Sequence, residues 1–289
     1  MGNEADYANI DPRSEVNRTG KPFVRLEREG HVAELVLDRP EKLNAWAWGP
    51  TNELCALAEE LRFDTSIRVV ILRGEGRAFC AGEDLKPDTH DVKDRHFGRS
   101  PAEIVRNSYE RARYCLERWA VVEQLPQPLL VAVHGYCLGA GVELAMLGDI
   151  RLAADDAIFA LPQASIGVGV VGGADLRIAA ECGAGTAKLL AMTGRRFGAD
   201  EAQRLGLVQQ VVPAGELLTA TRSLAAEIAA NAPIAVQTIK RTINQYARQG
   251  FEEAARYEAM ASSIAFVSED LYEGFAAGAA KRPPEFKGF

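Results

Sequence analysis

The sequence predicts an α/β fold in which parallel strands are joined by helices. The main evidence is two continuous apolar runs, Val69–Leu72 and Leu129–Val133, which are typical of strands buried on both faces of a parallel sheet. Segments of helical periodicity, 49–62 and 102–123, lie before and between these runs. This alternation predicts a parallel sheet with crossover helices.

A hairpin is predicted at the start of the core. Residues 23–26 and 32–37 alternate between apolar and polar side chains like two short strands, and Glu29-Gly30 supplies the turn. Asp38-Arg39-Pro40 ends the second strand. In the helix that follows, the residues on one face are Leu54, Leu57, Ala58 and Leu61.

The rest of the chain continues the alternation and then becomes helical. In helix 102–123 the residues expected to face inward are Ile104, Tyr109, Ala112, Cys115 and Leu116. Beyond Leu129–Val133 we expect a helix from Gly139 through Met146 and short strands at 150–153 and 157–159. The helices predicted after residue 184 are 185–192, 199–204, 214–230, 233–248, 251–266 and 268–279. The expected organisation is a flexible tail at 1–21, a core at 22–200 and a C-terminal helical region at 201–289.

Composition indicates an ordinary globular protein and excludes several classes. The 289 residues are 47% hydrophobic and 25% charged, enough to bury a large core without disulfides or metal. A net charge of −7 argues against a nucleic-acid or anionic-membrane partner. Five scattered cysteines without a CxxC argue against a disulfide framework or zinc site. With no signal-peptide or transmembrane pattern, we expect a cytoplasmic soluble protein.

Three glycine-rich junctions follow strands and are the segments most suited to chemistry. They are residues 77–85, 134–144 and 162–175. Glycine lets the backbone approach a ligand closely, and a helix that begins there directs N–H groups to the same place. Two N–H groups from separate turns could bind a carbonyl oxygen that gains negative charge. Glu143, about one turn into its helix, could then transfer a proton beside that carbonyl.

Each junction alone has a simpler interpretation. Glycine-rich segments after strands are usually tight turns, and the residues around Gly139 form neither a GxGxxG fingerprint nor a P-loop. Glu143 lies in an apolar stretch, and an exposed helix face would explain it as well as catalysis would.

Taken in order, several sequence blocks resemble the enoyl-CoA hydratase/isomerase (crotonase) superfamily. The first three are LDRPEKLNA at 37–45, AFCAGEDL at 78–85 and GYCLGAGVELA at 135–145. Further matches are DIRLAA at 149–154, FALP at 159–162, GRRF at 194–197 with GLV at 206–208, and AKRPPEFK at 280–287. The resemblance covers nearly everything from residue 22 to the end.

The resemblance implies a spiral of repeated β-β-α units with a C-terminal helical trimerisation region. It implies an acyl-CoA thioester substrate, with no metal and no cofactor beyond the coenzyme A of the substrate. The positions that match the family's oxyanion hole are the backbone N–H groups of Glu83 and Ala140. It also implies a homotrimer or a dimer of trimers.

One position departs from the pattern of family hydratases, which use two glutamates. The first matches Glu143, but the second falls on Gln163. Glutamine can orient water or substrate but cannot exchange a proton, and general acid–base catalysis is worth roughly 10²–10⁴ in rate. The turn at 168–173 also lacks the proline and central glycine common in these enzymes. Candidates for a relocated acid are Glu83, Asp84, Asp88 and Asp175.

The residues expected to contact coenzyme A are Arg39, Lys42, Ala81, Phe286 and Lys287, the last two often from a neighbouring subunit in the family. The loop 86–100 is expected to set substrate choice. The leading prediction is an enoyl-CoA hydratase, a hydro-lyase that adds water across the 2,3 double bond. The alternatives are an isomerase, hydrolase or decarboxylase using one carboxylate, and a non-catalytic acyl-CoA-binding protein.

Overall fold

The computed structural model describes residues 21–84, 100–249 and 268–288. Three sequence predictions lie wholly or mainly outside these residues: the tail 1–21, the loop 86–100 and the helix 251–266. The strands are β1 Val24–Glu29, β2 Val32–Leu37, β3 Val69–Gly74, β4 Leu129–Val133, β5 Tyr136–Leu138, β6 Ile150–Ala154, β7 Ile158–Ala160, β8 Phe197–Gly198 and β9 Gln210–Val212. The helices are α1 Trp48–Arg62, α2 Pro101–Glu123, α3 Ala140–Ala145, α4 Ala174–Cys182, α5 Ala184–Thr193, α6 Ala199–Arg204, α7 Leu217–Ala229, α8 Pro233–Gln249 and α9 Glu269–Ala280.

A large sheet has the strand order β1-β2-β3-β4-β6-β9. The predicted hairpin pairs β1 with β2 antiparallel, and every later pairing in this sheet is parallel. All five residues of β4 are buried, as expected of an inner strand of a parallel sheet covered on both faces. The parallel sheet predicted from the apolar runs is therefore present.

A smaller sheet forms a second layer, and the chain alternates between the two layers in a spiral. It contains β5, β7 and β8, and isolated bridges extend the pattern from Cys80 to Cys137 and from Trp46 to Glu83. After each of β2, β3, β4 and β6, the chain crosses to this second layer before it returns through a helix or turn. The expected spiral of β-β-α units is confirmed.

The core fills the space between the layers. Trp119 of α2, Phe79 and Phe159 are among its largest fully buried side chains. On the other face of the large sheet, Ala225 and Ala229 of α7 pack against the buried side chains of β3 and β4. None of the helices in the described ranges is long and apolar enough to span a bilayer.

Some local predictions were wrong or incomplete. Tyr109 was expected to face inward but is 63% exposed, because the buried face of α2 lies further along, at Trp119 and Val122. The short strands β5, β8 and β9 were missed. Because β9 pairs with β6, the large sheet includes residues beyond position 200.

Candidate active site

Two glycine-rich turns meet at the edge of the small sheet. A methyl group on Gly82 would lie 3.0 Å from the carbonyl oxygen of Leu138, and one on Gly139 would lie 3.9 Å from the Cα of Gly82. Both glycines have positive φ angles, 101° and 51°. A larger residue at either position would separate the turns or strain the backbone. The glycines therefore let two stretches of backbone face one small volume.

The pairing around Glu83 sets the direction of its N–H group. The Trp46 N–H donates to the Gly82 carbonyl at 2.8 Å, and the Asp84 N–H donates to the Trp46 carbonyl at 2.9 Å. Because the flanking residues make both bonds to Trp46, the N–H of Glu83 lies on the opposite side of that strand. Ala140 begins α3, where the N–H groups point out of the helix toward its start.

Glycine is also required where α3 packs on the preceding strand. A methyl group on Gly141 would lie 2.4 Å from the Cys80 carbonyl oxygen, closer than any real contact. Its absence lets α3 rest directly on the strand that leads to Gly82. The next turn of α3 then carries Glu143 into the interior, where its side chain is only 7% exposed.

The Glu143 carboxylate receives hydrogen bonds from two sides. The Gln163 amide Nε2 lies 3.3 Å from Glu143 Oε1, and the Gly172 N–H donates to the carboxylate. Arg177 holds the Gly172 turn, because its Nη1 donates to the Gly172 carbonyl at 2.8 Å while its guanidinium pairs with Glu123 of α2. The structure thus places Glu143 and Gln163, the two catalytic candidates named from the sequence, next to each other.

Burial raises the pKa of Glu143 above its ordinary value, and the negative charge of Glu83 raises it further. The Gly172 N–H, the Gln163 amide and the charge of Arg177 oppose this shift without cancelling it. A carboxyl group with a raised pKa is suited to taking and returning a proton near neutral pH.

The other candidate acids occupy different places. Asp84 is buried and pairs with Arg39 at 3.3 Å and with Lys42 at 3.7 Å, contacts that fix the loop after Gly82. Asp175 lies in the first turn of α4, as expected. Asp88 lies outside the described residues.

An apolar wall faces the carboxylate. Trp119 and Trp46 have ring centroids 5.7 Å apart, and Trp46 is anchored by its indole N–H to Thr51 Oγ1 at 2.9 Å. Cys115 and Leu116 lie one turn from Trp119 on α2, and Leu116 reaches within 3.2 Å of where a methyl on Gly173 would be. Trp119 was missed from the sequence, although it lies four residues after Cys115 and therefore on the same helix face.

The predicted coenzyme A contacts fall into two groups. Arg39, Lys42 and Ala81 lie beside the Gly82 turn: the Ala81 N–H donates to the Leu43 carbonyl, and Arg39 Nη1 donates to the Ala45 carbonyl at 2.7 Å. A buried asparagine that the sequence interpretation gave no role also organises this region. Asn44 donates to the carbonyls of Glu75 and Ala78, in the segment between β3 and Gly82.

Phe286 and Lys287 are not brought to these turns within one chain. The Phe286 carbonyl accepts from Arg68 Nη2 at 2.6 Å, and the Lys287 N–H donates to Asp270. Arg68 precedes β3 and its N–H bonds to His31, so these contacts lie at the amino-terminal edge of the sheet. The turns at Gly82 and Gly139 follow the carboxyl ends of strands, at the opposite edge.

In the described part of the chain, no group of three or more His, Cys, Asp or Glu side chains is arranged to hold a metal ion.

Comparisons with known proteins agree with this geometry. The short-chain-enoyl-CoA hydratase of Clostridium acetobutylicum is 34% identical over 265 residues, covering 91% of this chain and 96% of the relative. The carnitinyl-CoA dehydratase of Proteus mirabilis is 35% identical over 273 residues, covering 92% of this chain and 98% of the relative. The crystal structure of enoyl-CoA hydratase from Bacillus anthracis aligns with a TM-score of 0.82 at 32% identity, over 92% of this chain and all of that one. Residues 27–288 match the enoyl-CoA hydratase/isomerase family, and the chain belongs to that family.

Proposed function

We propose that the protein is an enoyl-CoA hydratase in which Glu143 is the acid–base residue. The observation that carries this proposal is the buried Glu143 carboxylate with a raised pKa, held at the start of the helix that also supplies the Ala140 N–H. The relatives named for hydration and dehydration of acyl-CoA thioesters support the reaction class. Coenzyme A enters as part of the substrate.

In the proposed reaction, Glu143 accepts a proton from water as the water oxygen bonds to C3. The electron pair of the 2,3 double bond moves onto the thioester oxygen to form an enolate. The backbone N–H groups of Glu83 and Ala140 donate to that oxygen, and each such donor typically contributes about 2.7–4 kcal/mol of transition-state stabilisation. Glu143 then returns its proton to C2, which completes the addition of water.

Gln163 orients the water and the Glu143 carboxylate but does not exchange a proton. Glu143 must therefore serve in both proton transfers. Since the water and the proton would reach the substrate from the side of one carboxylate, this proposal entails addition of hydrogen and hydroxyl to the same face.

For the coenzyme, we propose contacts from Arg39, Lys42 and Ala81 of one subunit. Phe286 and Lys287 would act from a neighbouring subunit, since they lie at the far edge of the sheet in their own chain. The proposed assembly is a homotrimer or a dimer of trimers. Exposed apolar side chains on α8 and α9, including Ile239, Ile243 and Phe275, support such association.

A second candidate is an isomerase, hydrolase or decarboxylase built on the same enolate site. The observation that favours it is the amide of Gln163 where a second carboxylate would serve hydration. A non-catalytic acyl-CoA-binding protein is the third possibility, disfavoured by the raised pKa of Glu143.

The test is incubation of the purified protein with crotonyl-CoA and a panel of branched, cyclic and aromatic enoyl- and oxoacyl-CoAs, followed by mass spectrometry. A gain of one water that is lost in Glu143→Ala supports the hydratase. Released coenzyme A, released carbon dioxide or an isomer of unchanged mass would assign the second candidate. Binding without any product would leave a binding protein.

A further inference from the structure

Trp119 has a buried hydrogen-bond donor beside Glu143, and this donor has no role in the reaction proposed above. The side chain is 1% exposed, and its indole Nε1 has no hydrogen-bond partner among residues 21–84, 100–249 and 268–288. The Cys115 thiol interacts with this indole N–H, but sulfur is a weak acceptor and leaves the donor poorly satisfied. Buried indole N–H groups normally find a partner, so an unpaired one at a catalytic carboxylate requires an explanation.

The position of this N–H relative to Glu143 follows from Gly172. A methyl group on Gly172 would lie 2.0 Å from Glu143 Oε2 and 2.6 Å from Trp119 Nε1. The carboxylate oxygen and the indole nitrogen are therefore neighbours across the backbone of this glycine. Trp119 lies at the Oε2 side of the carboxylate.

Gln163 supplies a second unpaired group, at the other side of the same carboxylate. Its Nε2 is directed at Glu143 Oε1, and its Oε1 is buried with no partner in the described ranges. Glu143 thus lies between one unpaired donor and one unpaired acceptor. These are complementary functions, and a ligand that both accepts and donates would satisfy them together.

A water molecule poised for addition requires such a set of partners. It has two protons and two lone pairs: one proton passes to the base, and one lone pair attacks the carbon. The second proton needs an acceptor and the second lone pair needs a donor if the water is to be held in one orientation. Glu143 is the base, and the Gln163 carbonyl and the Trp119 N–H are the missing acceptor and donor.

We propose that Trp119 is a further substrate-contacting residue of the reaction. Its indole N–H donates a hydrogen bond to the oxygen that becomes the 3-hydroxyl of the product, while the Gln163 carbonyl accepts a hydrogen bond from that same oxygen. The inference rests on the proposed hydratase function and adds a ligand class to it, acyl-CoA thioesters that carry an oxygen at C3. No proton leaves Trp119, so its contribution is to hold the oxygen in line with C3.

The test compares two ligands that differ only in this oxygen, butyryl-CoA and 3-hydroxybutyryl-CoA. Their dissociation constants are measured by titration calorimetry in Glu143→Gln, which blocks turnover, and in the same chain with Trp119→Phe added. We expect Trp119→Phe to weaken 3-hydroxybutyryl-CoA by about tenfold relative to butyryl-CoA, the loss of one good hydrogen bond. With Glu143 restored, Trp119→Phe should lower kcat for crotonyl-CoA hydration more than it raises KM.

Trp46→Phe is the matched control, because the Trp46 N–H is already bonded to Thr51. It should change the affinities for the two ligands by the same factor. An equal effect of Trp119→Phe on both ligands would overturn the proposal and leave Trp119 as packing only. If Trp119→Phe does not fold, Gln163→Met removes the acceptor and must show the same preference for losing the hydroxylated ligand.

Different results would refute the proposed hydratase function and the proposed role of Trp119. A wild-type protein that hydrates no enoyl-CoA contradicts the hydratase, whatever the titrations show. A wild-type hydratase whose Trp119→Phe and Gln163→Met variants keep the ligand ratio contradicts only the role of Trp119.

Discussion

Glu143 is held in its neutral form more readily than a carboxyl group in water, because burial disfavours its charge. The folded chain therefore binds this proton more tightly than the unfolded chain does. The free energy of unfolding falls as pH rises from the ordinary range of a carboxyl group through the raised pKa of Glu143. This residue costs stability at neutral pH, which is typical of groups retained for catalysis.

Replacing the charge should recover that stability. In Glu143→Gln, an uncharged amide replaces the buried carboxylate, and its carbonyl oxygen can still accept from the Gln163 Nε2 and the Gly172 N–H. At pH values above the range in which Glu143 titrates, we expect the Tm of the variant to be a few degrees higher than that of wild type. At pH values below that range, the two Tm values should match. Thermal unfolding followed from pH 3 to pH 8 measures this. A variant that is less stable at neutral pH would show that Glu143 is not a destabilising charge.

The charge of Glu83 is predicted to tune the acid–base residue. Because Glu83 raises the pKa of Glu143, Glu83→Gln should lower it and move the acidic limb of the kcat/KM profile to lower pH. The backbone N–H of position 83 is kept. Glu216→Gln, which removes the same charge from an exposed turn, should leave the limb in place. If the acidic limb does not shift in Glu83→Gln, the charge of Glu83 does not affect the pKa of Glu143.

At the scale of elements, the turn before α4 positions the Glu143 carboxylate, as the turns at Gly82 and Gly139 position the backbone N–H groups proposed to bind the thioester oxygen. Gly172 has no positive φ, so its requirement is steric: a methyl group would lie 2.5 Å from Glu143 Cδ and 2.6 Å from Trp119 Nε1. Gly169, three residues earlier, has nothing within 4 Å of its added methyl. The same Gly→Ala substitution can therefore be compared at a crowded position, Gly172, and at an open position, Gly169, of one turn.

Gly172→Ala should displace the Glu143 carboxylate and lower kcat by roughly 10²-fold, because small displacements at a reacting group are costly. Gly169→Ala should keep near wild-type kcat. Steady-state kinetics, with circular dichroism to check folding, distinguish the two. Equal activities would contradict the contact between Gly172 and Glu143.

The elements that were predicted well are those whose pattern is set by burial. The runs Val69–Leu72 and Leu129–Val133 became β3 and β4 because both faces of these strands are covered. The strands β5, β8 and β9 have two or three residues each and show no periodicity of their own. Pairing with distant neighbours defines them, and a local pattern does not contain that information.

The same limit applied to the site. The glycine-rich segments after strands predicted functional turns at Gly82 and Gly139. The family resemblance gave Glu143 and Gln163 as the catalytic candidates. The contact of Gly172 with Glu143 joins residues from separate turns, and only the fold reveals it. Trp119 follows Cys115 by four residues, so its helical spacing alone indicates the inward face on which Cys115 was predicted.

At the scale of the whole molecule, the C-terminal helices α8 and α9 carry exposed apolar side chains. Ile239 and Ile243 of α8 are each 59% exposed, and Tyr272 and Phe275 of α9 are also exposed. Exposed apolar clusters of this kind mark contact surfaces. Phe286 and Lys287 lie at the opposite edge of the sheet from the turns at Gly82 and Gly139, which is why we propose that they act from a neighbouring subunit.

We expect sedimentation to give three or six times the 31.3 kDa chain mass. Ile239→Glu with Ile243→Glu should shift the protein to the monomer, since burying two unpaired carboxylates is costly. Phe63→Glu, at a phenylalanine that is 83% exposed at the end of α1, should leave the assembly intact. A wild-type monomer at micromolar concentration would contradict the proposed assembly.

The central claim is that one carboxylate, Glu143, carries the proton in both steps of hydration. The most direct measurement is the rate of crotonyl-CoA hydration in D₂O by wild type and Glu143→Gln, with the product analysed by NMR. We expect a rate about 10²–10⁴ lower in the variant, and wild-type product with deuterium and hydroxyl added to the same face. Undiminished hydration by Glu143→Gln, or addition to opposite faces, would contradict it.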